Sequence, residues 1–380
     1  MITTLNEQQT TDRTSFREFV NTEVIPNAHT YDKEERLPEE LIEKMGRQGF
    51  FGAVLPEEYG GSGMDMLTYG QLNEELGRGC ASVRGHMMMQ NMVGLTLLKW
   101  GSSEQKERWL NGIASGKTTA AFALTEPDIG SDAMHIETSI SDVDGAVYQI
   151  NGRKKWITLG QIAGLFLVFG KYKGKLSAIL VERKTPGLTV VPMAGVFGVK
   201  ASRLAELHFD NCRVPKENLV GRAGFGFVPV GITALNLGRY SIAWGCVGIG
   251  QACLEASLAH TSSRKQFGDY LKNHQLIQAM IADMSVNLKA ARLLCHKAGQ
   301  MQEEGEQSAI MEIMVAKYYA SKMAVKAAND AVQIHGAVGC SSGHPVQRHL
   351  RDSKIMEIIE GTSQIHQIKI ADYAYRENME

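Results

Sequence analysis

The sequence predicts an α+β protein in which a β region is flanked by two helical regions. Up to about residue 117, segments such as PEELIEKMGRQGF carry apolar residues at three- and four-residue spacings, which is typical of amphipathic helices. Between about 118 and 225 the apolar runs are short and rich in β-branched and aromatic residues, as in LFLVFG. From 226 to 380 the helical spacing returns in longer segments. We therefore expect three domains, at 1–117, 118–225 and 226–380.

The central region carries the turn signals of β-hairpins. Asp144-Gly145, Asn151-Gly152 and Lys173-Gly174 each lie between apolar runs. Because no helical segment separates these runs, the pattern predicts an antiparallel sandwich or barrel and not a Rossmann sheet.

The last region predicts a helical bundle. In NHQLIQAMIADMSVNLKAARLLCHKAGQ the apolar residues form one stripe, which comprises Ile277, Met280, Ile281, Met284 and Leu288. A second long helix is predicted through SAIMEIMVAKYYASKMAVKAANDAVQIHG, with Gly336 just past its end. Small residues in YSIAWGCVGIGQACLEASLAH favour close helix packing. Three or four such helices form a bundle.

The composition argues against several classes of function. The chain has 380 residues, 44% of them hydrophobic, and a formal net charge of -1, so it lacks the basic excess of nucleic-acid-binding proteins. The N-terminal MITTLNEQQT has no apolar segment of a signal peptide, and no uninterrupted apolar stretch of membrane-spanning length is evident. The six cysteines are scattered without a CxxC pair, which fits a reducing compartment. We expect a cytoplasmic protein that binds neither nucleic acid nor membrane.

Three further patterns resemble functional sites. Gly248 and Gly250 resemble half of a dinucleotide fingerprint, but the third glycine and a preceding strand are missing, which favours a tightly packed helix. The histidines show no metal-ligand spacing and no GxSxG motif is present, so no metal and no serine nucleophile are expected. The methionine run HMMMQNM is interpreted as a helix core; the alternative is that one or two of its side chains line an acyl pocket.

Two segments of the β region have a structural and a functional interpretation. In ALTEPDIGSD, Gly130 and Ser131 fit an ordinary loop, or a turn whose amides hold a phosphate or a polar ring edge. In RKKWITLG, Trp156 and Thr158 lie two residues apart, so on a strand they share a face. Such a face suits a flat heteroaromatic ligand, although an edge strand has the same pattern.

The segment MEIIEGTSQ places one carboxylate at the end of an apolar run. Glu360 is followed by Gly361, which is typical of a helix end. The second interpretation is a base that is kept in a dry pocket, where burial raises the pKa of a carboxyl group.

Five motifs occur in a fixed order: ALTEPDIGSD, RKKWITLG, SRKQFG, QIHGAVG and RDSKIMEIIEGTSQ. Together they resemble the acyl-CoA dehydrogenase family of flavoproteins, and the resemblance covers nearly the whole chain. It implies an N-terminal helical domain, a central antiparallel β domain and a C-terminal four-helix bundle. It also implies a homodimer or homotetramer, and FAD that binds without a Rossmann motif.

The resemblance assigns cofactor contacts by position. The residues expected at the flavin ring are Phe122, Leu124, Thr125, Gly130, Ser131, Trp156 and Thr158. Those expected at the pyrophosphate and adenine of a neighbouring subunit's FAD are Arg264, Gln266, Phe267, Gln275 and Gln333. Thr362 and Gln364 complete the cofactor contacts.

The resemblance also implies a mechanism. Glu360 falls on the position of the catalytic base, which takes the proton α to a thioester carbonyl while a hydride passes to the flavin. The amide that follows Glu360 is expected to polarise the thioester oxygen. Substrate contacts are expected from Ser131, Asn236, Arg239 and Gly361.

The sequence of the last two motifs resembles that of one branch of the family. This branch oxidises acyl groups on carrier proteins during extender-unit biosynthesis for polyketide or peptide antibiotics. Asn236 also stands where many relatives have an acid, near the expected nucleotide end of the substrate. The expected substrate is therefore a short acyl group on an acyl carrier protein, with a catabolic short-, medium- or branched-chain acyl-CoA as the alternative. A flavin monooxygenase and a non-catalytic binding protein are further alternatives, against which Glu360 and the complete motif set argue. An electron-transferring flavoprotein is the expected electron acceptor.

Overall fold

The computed structural model describes residues 5–379 and places an eight-stranded sheet between two groups of helices. The helices before the sheet are α1 (Glu7–Phe19), α2 (Ala28–Glu34), α3 (Glu39–Arg47), α4 (Met66–Gly79), α5 (Ala81–Trp100) and α6 (Ser103–Ala114). Side-chain caps begin several of them; Ser102, for example, accepts a hydrogen bond from the N–H of Gln105 at the start of α6. α4 and α5 are almost entirely buried, so they form the core of this part of the chain.

The strands of the sheet are β1 (Ala120–Ala123), β2 (Ser139–Asp142), β3 (Val147–Ile157), β4 (Leu165–Tyr172), β5 (Lys175–Glu182), β6 (Leu188–Pro192), β7 (Ala205–Pro215) and β8 (Leu219–Val220). Their order is β6-β7-β3-β2-β4-β5-β8, and β1 also pairs with β4. The pairs β1–β4 and β2–β4 are parallel, and the other pairs of this sheet are antiparallel. The predicted α+β class is confirmed, with a mixed sheet in place of an entirely antiparallel one.

Two of the three predicted hairpin turns are present. Asp144-Gly145 connects β2 to β3, and Lys173-Gly174 connects β4 to β5. The prediction at Asn151-Gly152 is wrong, because β3 runs through both residues. Gly152 has a φ of +145° and lies at a shift in register with β7, where a Cβ would come within 2.7 Å of Thr138 Oγ1. The glycine therefore serves a bulge and a close contact inside a strand.

The helices after the sheet are α7 (Ile232–Ser263), α8 (Gln275–Glu303), α9 (Ala309–His335), α10 (Pro345–Ile358) and α11 (Ser363–Met379). A short hairpin of β9 (Lys265–Gln266) and β10 (Asp269–Tyr270) connects α7 to α8. α7 and α9 pack against each other, and α8 and α10 each pack against both of them. α9 ends at His335 and Gly336 follows with a positive φ of 60°, in agreement with the sequence.

Glycines bring the N-terminal helices onto the bundle. α4 packs along α7, and a Cβ at Gly77 would lie 2.5 Å from the carbonyl oxygen of Gly245. A Cβ at Gly70 would meet Nε1 of the buried Trp244 at 2.4 Å. Gly248 faces the backbone of α4 in the same way. This close approach of α4 and α7 explains the small residues of α7 as helix packing.

One helical segment, Gly226–Ser263, is long and apolar enough to cross a membrane by length and composition, contrary to the expectation from the sequence. Of its most apolar window, 61% is buried inside the protein. It therefore has the properties of a core helix, and its apolar character comes from its central position in the bundle.

A buried ion pair fixes the loop after β1. Lys154 is fully buried on β3, and its Nζ lies 2.7 Å from Glu126 Oε1 and 2.9 Å from the carbonyl oxygen of Leu124. Glu126 also accepts hydrogen bonds from the backbone N–H groups of Glu137 and Thr138. Burial alone would raise the pKa of Glu126, but these donors hold that pKa below its ordinary value.

Replacing Lys154 with Met should destabilise the protein by about 3–5 kcal/mol, because a buried carboxylate would lose its only cationic partner in the described residues. Denaturant unfolding followed by circular dichroism would measure the loss. Lys155→Met is the matched control, since Lys155 is partly exposed and lies 4.0 Å from its nearest carboxylate, Glu206. Equal stabilities of the two variants would contradict the prediction.

Candidate active site

Glu360 lies in the turn between α10 and α11. α10 ends at Ile358, and the next residue, Ile359, is extended. Glu360 then takes a left-handed φ of 55° and Gly361 a φ of 96°. The non-glycine residue in the left-handed region is an uncommon feature that surrounding contacts must hold. A helix therefore does end here, as the first interpretation predicts. The first residue after it with a left-handed conformation is Glu360 itself, and Gly361 follows.

Two cationic side chains hold this turn from neighbouring helices. Arg239 on α7 donates from Nε to the carbonyl oxygen of Glu360 at 3.1 Å. Lys317 on α9, which is fully buried, donates from Nζ to the carbonyl oxygen of Gly361 at 2.8 Å. Asn236, one turn before Arg239, accepts from its Nη1 at 3.1 Å. The carbonyl groups of two consecutive residues are thus fixed, which holds the backbone that carries the Glu360 side chain.

The Glu360 carboxyl group lies in an apolar, sheltered position. Its Oε2 is buried and has no hydrogen-bond partner among the described residues. A Cβ at Gly238 would lie 3.0 Å from both Glu360 Cδ and Met92 Sδ, so Gly238 lies against the carboxyl group and the Met92 thioether lies on the same side of it. Removal from water raises the pKa of Glu360 to about 7, and the opposing charges of Arg239, Lys317 and Arg84 limit the rise.

Glu126 and Glu360 are two sheltered carboxyl groups with opposite environments. Glu126 is buried with three donors on its two oxygens, and its pKa is lowered. Glu360 is sheltered without a donor on Oε2, and its pKa is raised. A carboxyl group that titrates near neutrality with a free oxygen is suited to accept a proton at physiological pH.

We therefore expect proton abstraction by Glu360 to depend on pH with a midpoint near its pKa of about 7. The deprotonated form is the base, so the rate of substrate-dependent flavin reduction should rise between about pH 5 and pH 9. Anaerobic stopped-flow measurements across that range would show it. A rate that falls with rising pH through neutrality would contradict this assignment.

Gly361 and the residues after it support the turn. A Cβ on Gly361 would lie 3.0 Å from Nε2 of His366, a fully buried histidine whose pKa is lowered to about 3 by desolvation. Thr362 accepts a hydrogen bond from the N–H of Ile365 and so caps α11, whereas Gln364 is exposed. In this structure Gly361 approaches a neutral imidazole, and its predicted substrate contact stays a prediction.

The residues predicted to line the flavin ring come from two adjoining segments. Phe122 and Leu124 are buried at the end of β1, and Thr125 follows them. The carbonyl oxygen of Thr125 accepts a hydrogen bond of 2.9 Å from the N–H of Lys155, which places Trp156 next to this segment. The structure therefore brings these two predicted groups together.

The predicted shared strand face of Trp156 and Thr158 is wrong in detail. β3 ends at Ile157, one residue before Thr158, and Trp156 has a positive φ of 62° that breaks the alternation of a strand. Lys154 and Ile157 flank a shift in register with β7 at this point. Trp156 is 51% exposed at this point. An exposed aromatic ring held by a bulge is suited to stack on a planar ligand.

Other predicted cofactor residues lie on exposed surfaces. Gly130 and Ser131 belong to the exposed loop between β1 and β2. Arg264 ends α7, Gln266 and Phe267 form the following hairpin, Gln275 begins α8 and Gln333 lies near the end of α9. His260 and His335 stack at 4.3 Å, which brings the ends of α7 and α9 together. Phe267 is 98% exposed and has a positive φ of 53°.

Three residues of the site were not identified from the sequence. Lys317, Gly238 and Arg84 all lie within apolar helical segments. Two of them are charged residues inside buried apolar segments, Arg84 in VRGHMMM and Lys317 in MVAKYYA, and this is a signal that the sequence does contain. The methionine run is buried, as predicted, and one of its members, Met92, also lies beside Glu360.

Family models match three consecutive parts of the chain. They describe the N-terminal domain (residues 6–117), the middle domain (residues 121–212) and the C-terminal domain (residues 226–374) of acyl-CoA dehydrogenases. The chain belongs to the acyl-CoA dehydrogenase family. It is accordingly an oxidoreductase with FAD as its cofactor.

Relatives support this assignment over nearly the full length. The short-chain specific acyl-CoA dehydrogenase of Sus scrofa mitochondria is 39% identical over 95% of this chain and 88% of its own length. The glutaryl-CoA dehydrogenase of Desulfococcus multivorans is 38% identical, with 93% of each chain covered.

Solved structures have the same fold. A chain reported with the electron transferring flavoprotein of Acidaminococcus fermentans matches with a TM-score of 0.95 at 34% identity, covering 99% of this chain and 100% of that chain. Butyryl-CoA dehydrogenase from Megasphaera elsdenii matches with a TM-score of 0.94 at 32% identity, with 99% and 100% covered.

Two further structures are reported for the biosynthesis of an extender unit and as an acyl carrier protein oxidase. FkbI, reported for biosynthesis of the methoxymalonyl extender unit of the polyketide Fk520, matches with a TM-score of 0.87 at 31% identity, with 96% and 99% covered. The prolyl acyl carrier protein oxidase AnaB matches with a TM-score of 0.91 at 31% identity, with 98% and 100% covered.

The acyl-CoA dehydrogenase residues present here fit FAD by their chemistry. An exposed indole beside buried Phe122 and Leu124 suits the ring system. A guanidinium at Arg264 and exposed amides at Gln275 and Gln333 suit a pyrophosphate and an adenine edge. Within residues 5–379, no cluster of three or more potential metal-ligating side chains occurs.

Proposed function

We propose that this chain dehydrogenates short acyl thioesters and that Glu360 accepts the proton α to the thioester carbonyl. The observation that carries the proposal is the buried, unpartnered Oε2 of Glu360, whose pKa is raised to about 7. A carboxylate with its ordinary pKa is a weak base toward such a carbon acid. Desolvation makes Glu360 a stronger base without a change of residue.

The chain's own residues have separate tasks in this reaction. Glu360 takes the proton on Oε2, and the FAD, when bound, supplies the hydride acceptor. Arg239 and Lys317 keep the turn in its left-handed conformation and so aim the carboxylate. The N–H of Gly361 is the donor proposed to polarise the thioester oxygen. Met92 and Gly238 exclude water from one side of the carboxyl group.

Coenzyme A is the first candidate for the thioester carrier. The relatives named short-chain specific and glutaryl-CoA dehydrogenase have identities of 39% and 38%, against 31% for FkbI and AnaB. Asn236 had suggested a different carrier, but here its side chain contacts Arg239 next to the catalytic turn. An acyl carrier protein is the second candidate, and the similarity to FkbI and AnaB supports it.

The exposed residues at the end of the bundle support a homo-oligomer. Phe267 is almost fully exposed at the tip of its hairpin, close to Arg264 and Gln266, which are exposed as well. These groups suit a cofactor bound partly by a second copy of the chain. An electron-transferring flavoprotein is proposed as acceptor, with support from the similarity to the Acidaminococcus fermentans structure.

If a second copy completes the FAD site, dilution to the monomer should release the cofactor. Flavin absorbance and mass from analytical ultracentrifugation, measured on the same dilution series, would test this. A fully flavinated monomer would contradict the shared site.

The experiment that tests the function is anaerobic bleaching of the flavin absorbance by acyl thioesters. Each acyl group is presented once on coenzyme A and once on a phosphopantetheinyl carrier protein, and glyceryl and seryl groups are included. Rapid bleaching by short acyl-CoAs supports the first candidate. Bleaching only by carrier-bound short polar acyl groups supports the second, and no bleaching by any thioester overturns the dehydrogenase proposal.

A further inference from the structure

A cavity of about 380 Å³ lies where the N-terminal helices meet the start of α10. Ile25 and Pro26 form one wall, the end of α4 at Arg78 forms a second, and α7 forms a third. The fourth wall comes from residues 342–345 and 347–349. The residues predicted to contact FAD and those that hold the catalytic turn all lie outside this lining, so the cavity is separate from the candidate active site.

Arg348 is a buried cation on the fourth wall, and it forms no ion pair within the described part of the chain. It is 6% exposed, and its Nη2 donates to the carbonyl oxygen of Gly79 at 3.2 Å. Its buried Nε has no hydrogen-bond partner among the described residues. Arg351, three residues later, does have a carboxylate partner, because its Nη2 lies 2.6 Å from Asp32 Oδ2. An unpaired buried charge destabilises the folded protein, so the arrangement at Arg348 favours an anion supplied from solution.

The same wall contains the N-terminus of α10. Pro345, Gln347 and Arg348 belong to the first turn of this 14-residue helix, and all three line the cavity. The first N–H groups of a helix lack partners within it, and its N-terminal end carries a partial positive charge that attracts anions. His344 caps the helix by accepting a hydrogen bond on Nδ1 from the N–H of Val346 at 3.4 Å. The guanidinium and the helix N-terminus therefore border one cavity.

The one carboxylate in the lining is compensated by arginines. Glu255 on α7 lies 3.5 Å from Arg17 through one oxygen and 3.5 Å from Arg78 through the other. Arg78 also lies 2.7 Å from Glu75. These side chains form a network of alternating charges on the α4 and α7 walls. Glu255 therefore does not exclude an anion from the cavity.

Two buried titratable groups next to Arg348 leave its charge available. Asp352 lies one turn later on α10, but its Oδ1 binds the N–H of Val199 at 2.6 Å, and burial raises its pKa to about 6. Burial and the charge of Arg348 lower the pKa of His349 to about 3, so this imidazole is neutral. The positive charge at this wall therefore comes from Arg348 and the helix N-terminus.

We propose that this cavity binds the phosphate group of a small solute through Arg348 and the N-terminus of α10. A carboxylate has two oxygens in one plane, whereas a phosphate can accept from a guanidinium and from helix N–H groups in several directions. The volume of about 380 Å³ lies in the lower part of the range for small-molecule sites. Arg348 lies ten residues before Ile358, the last residue of α10, which is about 15 Å along the helix axis. The phosphate site is thus remote from Glu360.

Binding is measured by calorimetry on the flavinated protein in phosphate-free buffer, with inorganic phosphate and glycerol 3-phosphate as probes. Because FAD fills its own site, its pyrophosphate contacts do not contribute to the heat. Saturable binding with a Kd below roughly 1 mM is expected. Tighter binding of glycerol 3-phosphate identifies a phosphomonoester as the ligand, and tighter binding of inorganic phosphate identifies the free ion. No saturable binding of either probe overturns the proposal.

Two substitutions in the lining locate the binding. Arg348→Met should weaken it by roughly 10- to 100-fold, the loss expected for hydrogen bonds to a charged group. Ser342→Glu adds a carboxylate at an exposed position of the lining, so it should weaken binding by about five-fold without disturbing the core, even where Arg348→Met fails to fold.

Ser341→Glu is the matched control, because Ser341 is also exposed but lies outside the lining. It should keep the affinity for both probes. Binding that Ser342→Glu leaves unchanged, or that Ser341→Glu weakens equally, overturns the proposal. The measurement requires no turnover, so its outcome is independent of the bleaching experiment on the proposed function.

Discussion

Replacing Glu360 with Gln should lower the rate of substrate-dependent flavin reduction by roughly 10²–10⁴-fold, the range expected for loss of a general base. Glutamine has nearly the same shape, so the left-handed turn, its contacts with Arg239 and Lys317 and the affinity for FAD should persist. Only the proton acceptor is removed. Anaerobic stopped-flow absorbance with a saturating acyl thioester would measure the rate, and calorimetry would confirm that ligand binding is retained.

The stability of the same variant provides an independent check. The folded-state pKa of Glu360 is raised to about 7, above its value in the unfolded chain. Ionisation of Glu360 therefore begins to destabilise the folded protein as pH rises past the unfolded-state pKa, and the cost is complete above the folded-state pKa. Glu360→Gln should thus raise the melting temperature at alkaline pH and have little effect at acidic pH.

The matched control is Glu357→Gln, one turn earlier on α10, where Glu357 forms an ion pair with Lys354 at 2.7 Å. It should leave the rate of flavin reduction unchanged. Unchanged reduction kinetics in Glu360→Gln would remove Glu360 as the base, and equal losses in both variants would indicate a general disturbance of α10.

The order of helices and strands along the chain could largely be predicted, because local sequence patterns determine it. The Asp144-Gly145 and Lys173-Gly174 turns connect adjacent strands, and a turn of this kind depends on a few neighbouring residues. Asn151-Gly152 has the same local chemistry, yet it lies inside β3, where Gly152 packs against Thr138, the residue before β2. A turn signal is local, whereas the contact that overrides it joins distant residues.

The position of Glu360 could be predicted from its motif, but its environment could not. Arg239 lies 121 residues from Glu360 along the chain, and Lys317 lies 44 residues from Gly361. The packing of α7 and α9 brings both side chains to the carbonyl oxygens of the turn. Arg84 comes from the N-terminal helices and meets Ser241 across 157 residues. The charges that lower the pKa of Glu360 are therefore a property of the assembled fold.

Lys317→Met should reduce flavin reduction at neutral pH by about 10- to 100-fold, because the catalytic turn loses one of its two positioning contacts. The Lys317 Nζ donates to the carbonyl oxygen of Gly361 at 2.8 Å, and its charge also lowers the pKa of Glu360. Without that charge the pKa of Glu360 should rise further above its ordinary value. The midpoint of the pH–rate profile should therefore move to higher pH, and part of the lost activity should return under alkaline conditions.

Folding should survive this substitution, since desolvation already lowers the pKa of Lys317 to about 8 and methionine fits an apolar helix interior. Lys322→Met, on the exposed side of α9, is the matched control and should change neither the rate nor the pH midpoint. A purely structural Lys317 would lower stability and leave the midpoint where it is. A displaced midpoint in a stable protein is expected only if the lysine acts on Glu360, because no change in folding alone alters the protonation of the base.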